Sequence, residues 1–502
     1  MPVEAFREAA HRVVDLMADY LAGIERFAVL PDVQPGELRA RFPAEPPEKP
    51  EPLEAILRDY QADVEPFVTH WQHPGFFAYF ATSASAPGIL GEMLMATLVA
   101  NAMLWRTSPV ATELEEVTVG WLRQGLGLPD SFDGFYTDTA STSSLIGLAG
   151  ARQAVEGTDP DPARRPDAAA DGLAQRVAMR VYASAEAHSS IDKAAMTLGL
   201  GRVGVRHIPV DADRALRPEA LEAAIADDRV SGWLPCAVVA TIGTTSSTAI
   251  DPVAAIATIA EREGLWLHVD AAYAGPVALL PERRQPFEGW ERADSIVVNP
   301  HKWLFTPLDC SLFLTRRPGA VRAAFALLPE YLRTIDRDFS VHDFNQYTPQ
   351  LGRRFRALKM WFLLRYFGLE GLRSRIAGHI ELAQEFAGWV DQEPDAERLA
   401  AVPFSTVCFR WRPADPRWSD GHRGMSSPLD RLNEQLLERL NGTGEVFLSH
   451  TRLEGRFTLR LAVGNLRTER RHVERAWESI RQIGRELSEA MGEEVPTAAD
   501  SF

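Results

Sequence analysis

The chain has 502 residues, of which 46% are hydrophobic and 24% are charged. This length and composition exclude a small disulfide-stabilised scaffold and a mostly disordered chain, and they allow about three domains of ordinary size. The 53 basic and 69 acidic residues give a formal net charge of −16, which disfavours nucleic acid and anionic membranes as partners.

The cysteines and the apolar stretches restrict the type of protein further. Three cysteines occur, far apart in the sequence and without metal-ligand spacing, so neither a disulfide framework nor a zinc site is indicated and a reducing cytoplasm fits best. The opening Met-Pro-Val-Glu-Ala-Phe-Arg-Glu carries acidic residues where a signal peptide needs a basic start and an apolar run, so export is not predicted. Residues 80–105 form the longest apolar stretch, but Glu92 and Asn101 within it favour a buried or subunit-interface helix over a membrane span.

In chain order, the predicted elements begin with an amphipathic helix in residues 3–28 and a Pro-rich linker at 43–52. From residue 134 to about 310, short apolar runs alternate with helical stretches, which predicts βαβ units and a mostly parallel sheet. A surface loop is expected at 156–175. After residue 353 a long helical pattern leads to alternating runs at 406–411 and 456–463, which predict a small antiparallel sheet with helices.

One glycine pattern imitates a nucleotide-binding motif. Gly199-Leu-Gly201-Arg-Val-Gly204 matches the dinucleotide fingerprint, but a helical pattern precedes it and a strand-like pattern follows it. The fingerprint requires the opposite order, so a helix-to-strand turn is the better interpretation.

Polar residues follow the predicted strands of the central region. Runs at 181–184, 236–241, 265–269 and 295–298 are followed by His188, Thr245, Asp270 and Asn299 with Lys302, respectively. Residues 134–137 lead into Ala140 and Ser141 at a predicted helix start. Ligands of α/β sheets bind at the carboxyl ends of the strands, and a helix start with small residues offers backbone N–H groups to a phosphate.

These residue types together indicate pyridoxal phosphate. A lysine can form a Schiff base, a buried aspartate can keep a pyridine nitrogen protonated, and a histidine can cover the ring. The chain contains four lysines, and among Lys49, Lys193, Lys302 and Lys359 only Lys302 follows a predicted strand end.

Four segments resemble the pyridoxal-phosphate-dependent group II amino-acid decarboxylases, and in particular the aromatic-L-amino-acid decarboxylases. They are His73-Pro-Gly-Phe-Phe-Ala-Tyr-Phe80, His268-Val-Asp-Ala-Ala-Tyr-Ala-Gly275, Asn299-Pro-His-Lys-Trp303 and Leu351-Gly-Arg-Arg-Phe-Arg-Ala-Leu-Lys-Met-Trp361. The resemblance extends over residues 3–485. It implies a fold-type I enzyme with an α/β large domain, whose mostly parallel seven-stranded sheet lies between helices.

The resemblance also assigns residues to the cofactor. It implies a Schiff base on Lys302, the pyridine-nitrogen partner Asp270 and the ring-stacking base His188. It places the phosphate at Ala140, Ser141, Asn299 and His301, and the ring near Thr245. Residues 327–338 resemble a mobile catalytic loop in which Tyr331 returns a proton to Cα after CO2 has left.

For the substrate, the resemblance suggests Trp71, Tyr79, Phe80, Thr82 and Leu308, together with Asn101, Met103 and Gly352 donated by the partner subunit of an obligate homodimer. Animal members commonly carry Pro, Ile and Phe at the positions of Ala81, Asn101 and Met103, and an aromatic residue at that of Leu308. Gly352 leaves room for a bicyclic side chain, which favours tryptophan and phenylalanine over a strict catechol preference.

The predicted domains are an N-terminal helical dimerisation segment (1–84), a large cofactor-binding domain (85–358), a small α+β domain (359–486) and a flexible tail (487–502). The predicted function is decarboxylation of an aromatic L-amino acid: tryptophan, phenylalanine, tyrosine or DOPA. Three alternatives remain: a decarboxylase of acidic amino acids, an aromatic aldehyde synthase that consumes oxygen, and a cofactor-binding protein without turnover.

Overall fold

The computed structural model describes residues 1–156, 178–327, 342–415, 418 and 427–492. The chain divides into two compact units. The sheet unit comprises Thr82–Glu381 and Ala400–Phe404, and the terminal unit comprises Met1–Ala81, Leu382–Leu399 and Ser405–Phe502. The first and last parts of the chain thus belong to one unit, and the predicted division into four segments stays a prediction.

The sheet unit contains a seven-stranded sheet with the order β1-β7-β6-β5-β4-β2-β3. Its strands are β1 (Asp133–Thr137), β2 (Met179–Ser184), β3 (Val205–Ile208), β4 (Leu234–Thr241), β5 (Trp266–Asp270), β6 (Ser295–Val298) and β7 (Ser311–Thr315). Strands β3, β2, β4, β5 and β6 pair in parallel, whereas β7 runs antiparallel to both β6 and β1. The predicted mostly parallel α/β sheet is confirmed.

The central strands of this sheet are buried on both faces, as is typical of parallel sheets. In β4, every residue after Leu234 is buried, and in β5 all five residues are. The helices of this unit are Ala86–Leu98, Pro109–Leu126, Ala140–Glu156, Ser190–Thr197, Pro218–Val230, Val253–Glu263, Pro300–Trp303, Pro318–Phe325 and the first part of Arg356–Gln392, which kinks at Gly368.

The glycine-rich turn lies where the sequence predicts it. Helix Ser190–Thr197 ends before it and β3 begins after it, with Gly201 at φ +68°. Only glycine adopts such a backbone conformation without steric cost. The interpretation as a helix-to-strand turn is confirmed.

The terminal unit contains a four-stranded antiparallel sheet with the order β10-β11-β9-β8. Its strands are β8 (Ala396–Arg398), β9 (Thr406–Trp411), β10 (Ser449–Leu453) and β11 (Arg456–Ala462), and its helices are Val3–Ala22, Leu53–Asp59, Pro428–Gly442 and Arg470–Gly492. The first helix ends at Ala22 rather than at residue 28, because Gly23 follows.

The surface loop that the sequence predicts at 156–175 lies, after Glu156, outside the described residues.

All three cysteines are buried and none forms a disulfide. Burial raises the pKa of Cys236 and of Cys310 to about 12.

In the part of the chain that the structure describes, none of the helices combines the length and apolar character that a bilayer span requires.

Candidate active site

The parallel strands bring the predicted site residues to one edge of the sheet. The register pairs Thr241 of β4 with Asp270 of β5, and Asp270 with Val297 of β6. Asp270 is the last residue of its strand, and Asn299 follows β6 directly. The four predicted strands are consecutive neighbours in the sheet, in the order β6-β5-β4-β2, so all four of their ends lie at this edge.

Asp270 presents a buried carboxylate at this edge. The residue is 6% exposed, and its Oδ1 accepts a hydrogen bond from the Ala272 N–H at 3.0 Å. Its backbone carbonyl accepts from the Ile242 N–H at 2.9 Å. The strand end is thus held on both sides, and the carboxylate keeps acceptor capacity for a further donor.

Lys302 lies on the short helix Pro300–Trp303 that follows β6. Its N–H donates to the Asn299 carbonyl at 3.0 Å, and the Asn299 N–H donates to the Ala272 carbonyl at 3.0 Å. Trp303 anchors the helix by stacking on Tyr273 at 4.8 Å between ring centroids. The helix therefore positions the lysine beside the segment that carries Asp270.

His301 is a buried, neutral histidine of the same helix. Its Nδ1 accepts from the Cys310 N–H at 3.1 Å. Burial, with a smaller contribution from the Lys302 charge, lowers the pKa of His301 to about 4. The ring proton therefore lies on Nε2, which is available as a donor at neutral pH.

His188 lies in the turn after β2 and interacts electrostatically with the two charged site residues. Desolvation lowers its pKa, the Asp270 carboxylate opposes this, and the Lys302 and Lys193 charges add to it. Its Nδ1 accepts from the Ser190 N–H at 3.1 Å, so the neutral ring carries its proton on Nε2. The charges of Asp270 and Lys302 thus act on His188, and the roles that the sequence predicts for these three residues stay predictions.

The start of helix Ala140–Glu156 is anchored to β1 and β7. Ser143 Oγ lies 2.7 Å from Thr137 Oγ1 and 3.0 Å from Ser311 Oγ. Ser141 in the first turn is exposed, and the first N–H groups of a helix have no partner within the helix. The small side chains therefore leave this turn accessible to an anion.

Thr245 follows β4 and is exposed. The turn before it depends on Gly243, whose φ is +87° and whose Cβ would lie 2.9 Å from the Cβ of Ala274. A side chain at Gly243 would push this turn away from the Asp270 segment.

One residue of this region was given no role from the sequence. His268 is fully buried on β5, with Nδ1 2.8 Å from Ser295 Oγ and Nε2 3.2 Å from Ser144 Oγ. Burial lowers its pKa to about 4. It links the strand that ends in Asp270 to the helix that begins at Ala140. The available signal was its place two residues before Asp270, which puts both side chains on one face of the strand.

Three of the predicted substrate residues lie together in the sheet unit. Asn101 Oδ1 accepts from the Arg353 N–H at 3.0 Å, and Asn101 Nδ2 lies 3.4 Å from Met103 Sδ. A Cβ at Gly352 would lie 4.0 Å from Asn101 Nδ2. In the same unit Leu308 is 62% exposed and Thr82 is half-buried.

The predicted aromatic residues lie in the terminal unit. The rings of Trp71 and Tyr79 stack at 6.0 Å between centroids, and the Arg460 guanidinium lies 4.5 Å from the Phe80 ring centroid. Tyr79 is 54% exposed. Tyr331 and residues 328–338 of its predicted loop lie outside the described residues.

Comparison with known proteins decides the family. Residues 35–412 match the family described as "Pyridoxal-dependent decarboxylase conserved domain". The chain belongs to this pyridoxal-dependent decarboxylase family.

Relatives and solved structures cover almost the whole chain. The chain is 40% identical to the aromatic-L-amino-acid decarboxylase of Sus scrofa, over 97% of this chain and 98% of that protein. It is equally identical, at 40%, to the phenylacetaldehyde synthase of Arabidopsis thaliana, over 96% of each chain. The solved structure of Catharanthus roseus tryptophan decarboxylase in complex with L-tryptophan is 37% identical, with a TM-score of 0.88, covering 97% of this chain and 99% of that one.

The residues of this family member fit pyridoxal phosphate. Asn299 is 2% exposed, and its Oδ1 is a buried atom without a hydrogen-bond partner among the described residues. Asp270 is a buried carboxylate with unused acceptor capacity, and Lys302 provides an amine beside it. A pyridinium N–H and an aldehyde carbon are the groups that such a carboxylate and amine bind.

Proposed function

We propose that this pyridoxal-dependent decarboxylase removes the carboxyl group of an aromatic L-amino acid and releases CO2 and the arylalkylamine. The proposed substrates are tryptophan, phenylalanine, tyrosine and DOPA. The observation that carries the proposal is the electrostatic interaction of His188 with Asp270 and Lys302, in a chain that resembles an aromatic-L-amino-acid decarboxylase over nearly its whole length.

The residues around the sheet edge would hold the cofactor. Lys302 would bind it covalently and Asp270 would accept the hydrogen of its ring nitrogen. The phosphate would lie at the helix start, with the proposed contacts Ala140, Ser141, Asn299 and His301, and the ring near Thr245. When bound, the cofactor supplies an electron-poor ring that accepts the electron pair left at Cα as CO2 departs.

The protein supplies positions and protons for this chemistry. Its lowered pKa keeps His188 neutral at pH 7, so its ring can lie against an electron-poor ring without adding a positive charge. The His301 Nε2–H would donate to a phosphate oxygen. Tyr331, which lies outside the described residues, would return the proton to Cα once CO2 has left.

An exposed apolar face supports a homodimer with sites at the subunit interface. Helix Ala86–Leu98 and the residue after it expose Leu90, Leu94, Leu98 and Val99 by 48–83%. A contiguous apolar face of this kind is typical of protein interfaces. Asn101, Met103 and Gly352 follow or adjoin this face and would complete the partner subunit's substrate pocket, together with Trp71, Tyr79, Phe80, Thr82 and Leu308.

The cysteines support a reducing compartment. All three are buried and unpaired with one another, as expected for a cytoplasmic protein. We propose a cytoplasmic location on this basis.

The second candidate is an aromatic aldehyde synthase, which converts the same amino acids with oxygen and water to an aldehyde, ammonia, CO2 and hydrogen peroxide. The equal identity to a phenylacetaldehyde synthase favours it. Tyr331, which the family resemblance assigns as the proton donor, argues for amine formation, because protonation of Cα competes with its oxidation by oxygen.

A substrate panel tests the proposal. The holoenzyme is incubated with tryptophan, phenylalanine, tyrosine, DOPA, glutamate and aspartate while CO2, amine, aldehyde and peroxide are measured. CO2 and amine in equal amounts from aromatic substrates are expected. Equal aldehyde and peroxide would instead establish the synthase, and turnover confined to glutamate or aspartate would refute aromatic specificity.

The variant Tyr331→Phe tests the proton donor. It removes the phenolic proton but keeps the ring, so CO2 release should continue while the product shifts from amine towards aldehyde and peroxide. Amine formation at the parental rate without peroxide would show that another acid protonates Cα.

A further inference from the structure

A buried ion pair in the sheet unit takes no part in the roles proposed above. The Arg353 side chain is 2% exposed and the Glu115 side chain is 0% exposed, with 2.7 Å between Arg353 Nη2 and Glu115 Oε1. Two charges lose their hydration on such burial, and good geometry with further hydrogen bonds must compensate for the loss. Those hydrogen bonds therefore indicate what the pair holds in place.

On one side, the pair binds the strand that leads to the proposed phosphate site. Arg353 Nη2 donates to the Tyr136 carbonyl at 2.7 Å, and Glu115 Oε1 accepts from the Tyr136 N–H at 2.8 Å. Both backbone polar groups of Tyr136 are thus satisfied by the pair. Tyr136 lies on β1, which runs directly into the helix start at Ala140.

On the other side, Arg353 binds the segment 101–103. Its Nη1 donates to the Ala102 carbonyl at 3.1 Å, and its own carbonyl accepts from the Ala102 N–H at 2.9 Å. Its N–H donates to Asn101 Oδ1 at 3.0 Å. The segment with Asn101 and Met103 is therefore fixed to Arg353, next to Gly352 in the chain.

The contacts require a guanidinium. Its planar fork reaches a carboxylate and two carbonyls at once, and its face lies 4.6 Å from the centroid of the Phe344 ring. A lysine ammonium is a point charge and cannot reproduce this geometry. Glu115 Oε2, in contrast, has no hydrogen-bond partner among the described residues, so a glutamine at this position could keep every bond that Oε1 makes.

We infer that Arg353 and Glu115 are positioning residues that fix the substrate-wall segment (Asn101, Met103 and Gly352) relative to the helix start that would bind the cofactor phosphate. The inference rests on the proposed function. In the proposed homodimer, the pair connects the cofactor site of one chain to the wall that this chain provides for its partner. Loss of the Arg353 guanidinium would displace the substrate-wall segment without removing any residue that is proposed to contact the substrate.

The first test is Arg353→Lys in the holoenzyme. Two quantities are measured per cofactor-loaded site: kcat/KM for L-tryptophan, and the Kd of L-tryptophan methyl ester, which cannot lose CO2, from the absorbance change of the bound cofactor. A displacement of the wall by about 1 Å is expected to lower kcat/KM about 100-fold and to raise the ester Kd about tenfold.

Matched variants separate positioning from stability. Arg410→Lys breaks another Arg–Glu pair, in the terminal unit, in which the Arg410 side chain is fully buried and the Glu397 side chain is 24% exposed; it should lower the unfolding midpoint while leaving both quantities unchanged. Glu115→Gln keeps the hydrogen bonds, so kcat/KM and the ester Kd should stay close to wild type, whereas the uncompensated Arg353 charge should lower the unfolding midpoint. Glu115→Asp withdraws the carboxylate by one methylene and should behave like Arg353→Lys.

The outcomes are distinct. If Arg353→Lys changes only the unfolding midpoint, as Arg410→Lys should, the pair is structural and the inference is wrong. If Arg353→Lys does not fold, equal values for Glu115→Asp and Glu115→Gln would overturn it. A wild-type enzyme that binds the ester but forms no amine contradicts the proposed function alone, since the ester Kd still tests positioning; failure to bind the ester overturns both.

Discussion

Lys302 differs from the other three lysines in its surroundings. Lys359 is fully buried, with Nζ 2.8 Å from Glu92 Oε2 and 3.0 Å from the Pro307 carbonyl. Its ammonium group is therefore already paired with a carboxylate. Lys49 and Lys193 are exposed. Lys302 alone is half-buried beside the Asp270 carboxylate and the His188 ring.

The first prediction concerns this lysine. Lys302→Ala should abolish the visible absorbance of bound cofactor and all amine formation, because no other amine lies at the sheet edge. Borohydride reduction of the wild type followed by peptide mapping should place the fixed cofactor on Lys302, while Lys193→Ala serves as a control that keeps the label. A label on Lys49, Lys193 or Lys359 would contradict the assignment.

The second prediction concerns the acid sensitivity that His268 confers. Its pKa is about 4 in the folded chain and about 6.5 when unfolded, so the unfolded state binds more protons between these values. The stabilisation is present above pH 6.5 and is lost as the pH falls towards 4, to the extent of about 3 kcal/mol. His268→Gln should therefore flatten the decline of the unfolding free energy between pH 6.5 and 4, measured by urea denaturation.

His342 provides a control of opposite sign. A hydrogen bond to Glu116 raises its pKa, so its contribution is present below pH 6.5 and is lost as the pH rises through the raised value. His342→Gln should weaken the protein more at pH 5 than at pH 8. The same pH dependence in both variants would show that burial of His268 is not the cause.

The site residues differ in how far the sequence predicts them. His188, Asp270 and Lys302 were predicted because each follows an apolar run, and parallel strands bring their carboxyl ends together. The contact between Arg353 and Glu115 was not predicted, since 238 residues separate them and no local pattern connects the segment 351–361 to Glu115. The ion pair of Lys359 with Glu92 was not predicted either, because sequence periodicity does not reveal an acid on another helix.

At the scale of elements, the strands whose bounds the sequence predicts agree with the structure within about two residues, whereas β7, β8 and β10 were not predicted individually. Residues 295–298 and 406–411 are strands as predicted, because apolar residues fill them and polar or turn residues bound them. The joining of both chain ends in the terminal unit was not predicted, because it depends on contacts between distant segments. One example is the Val29 N–H, which donates to the Gly444 carbonyl at 2.8 Å.

The third prediction concerns the helix that begins at Ala140. Ser141→Asp places a negative charge in the first turn of this helix. Interaction of that charge with the helix dipole should stabilise the fold by roughly 0.5 kcal/mol, whereas the same charge should repel a bound phosphate. The apoprotein should unfold at the same or a slightly higher temperature, while the Kd for pyridoxal phosphate rises at least about tenfold. Ser141→Asn is the uncharged control. Unchanged cofactor affinity in Ser141→Asp would place the phosphate elsewhere.

At the scale of the whole molecule, the exposed apolar face of helix Ala86–Leu98 gives the fourth prediction. In the proposed homodimer Leu94 and Leu98 would each contribute about 1.5–3 kcal/mol on burial, so Leu94→Glu/Leu98→Lys should raise the dissociation constant of that dimer at least about 100-fold. Light scattering should then show monomers, and amine formation should fall because the pockets are incomplete.

Matched exposed positions control for surface charge. Val203 and Val230 are 72% and 91% exposed elsewhere on the sheet unit, and Val203→Glu/Val230→Glu should leave the oligomeric state unchanged. A Leu94→Glu/Leu98→Lys protein that remains dimeric would show that the interface lies on another face.

The buried cysteines have a consequence for oxidative durability. A side reaction with oxygen in the active site would generate hydrogen peroxide close to the protein's own side chains. Peroxide oxidises cysteine in its thiolate form. With their pKa near 12, Cys236 and Cys310 offer almost no thiolate at neutral pH, and Cys408 is 1% exposed and therefore inaccessible to peroxide in the folded chain. A thiol reagent should therefore titrate none of the three cysteines before denaturation and all three afterwards, and peroxide at concentrations that inactivate thiol enzymes should leave amine formation intact.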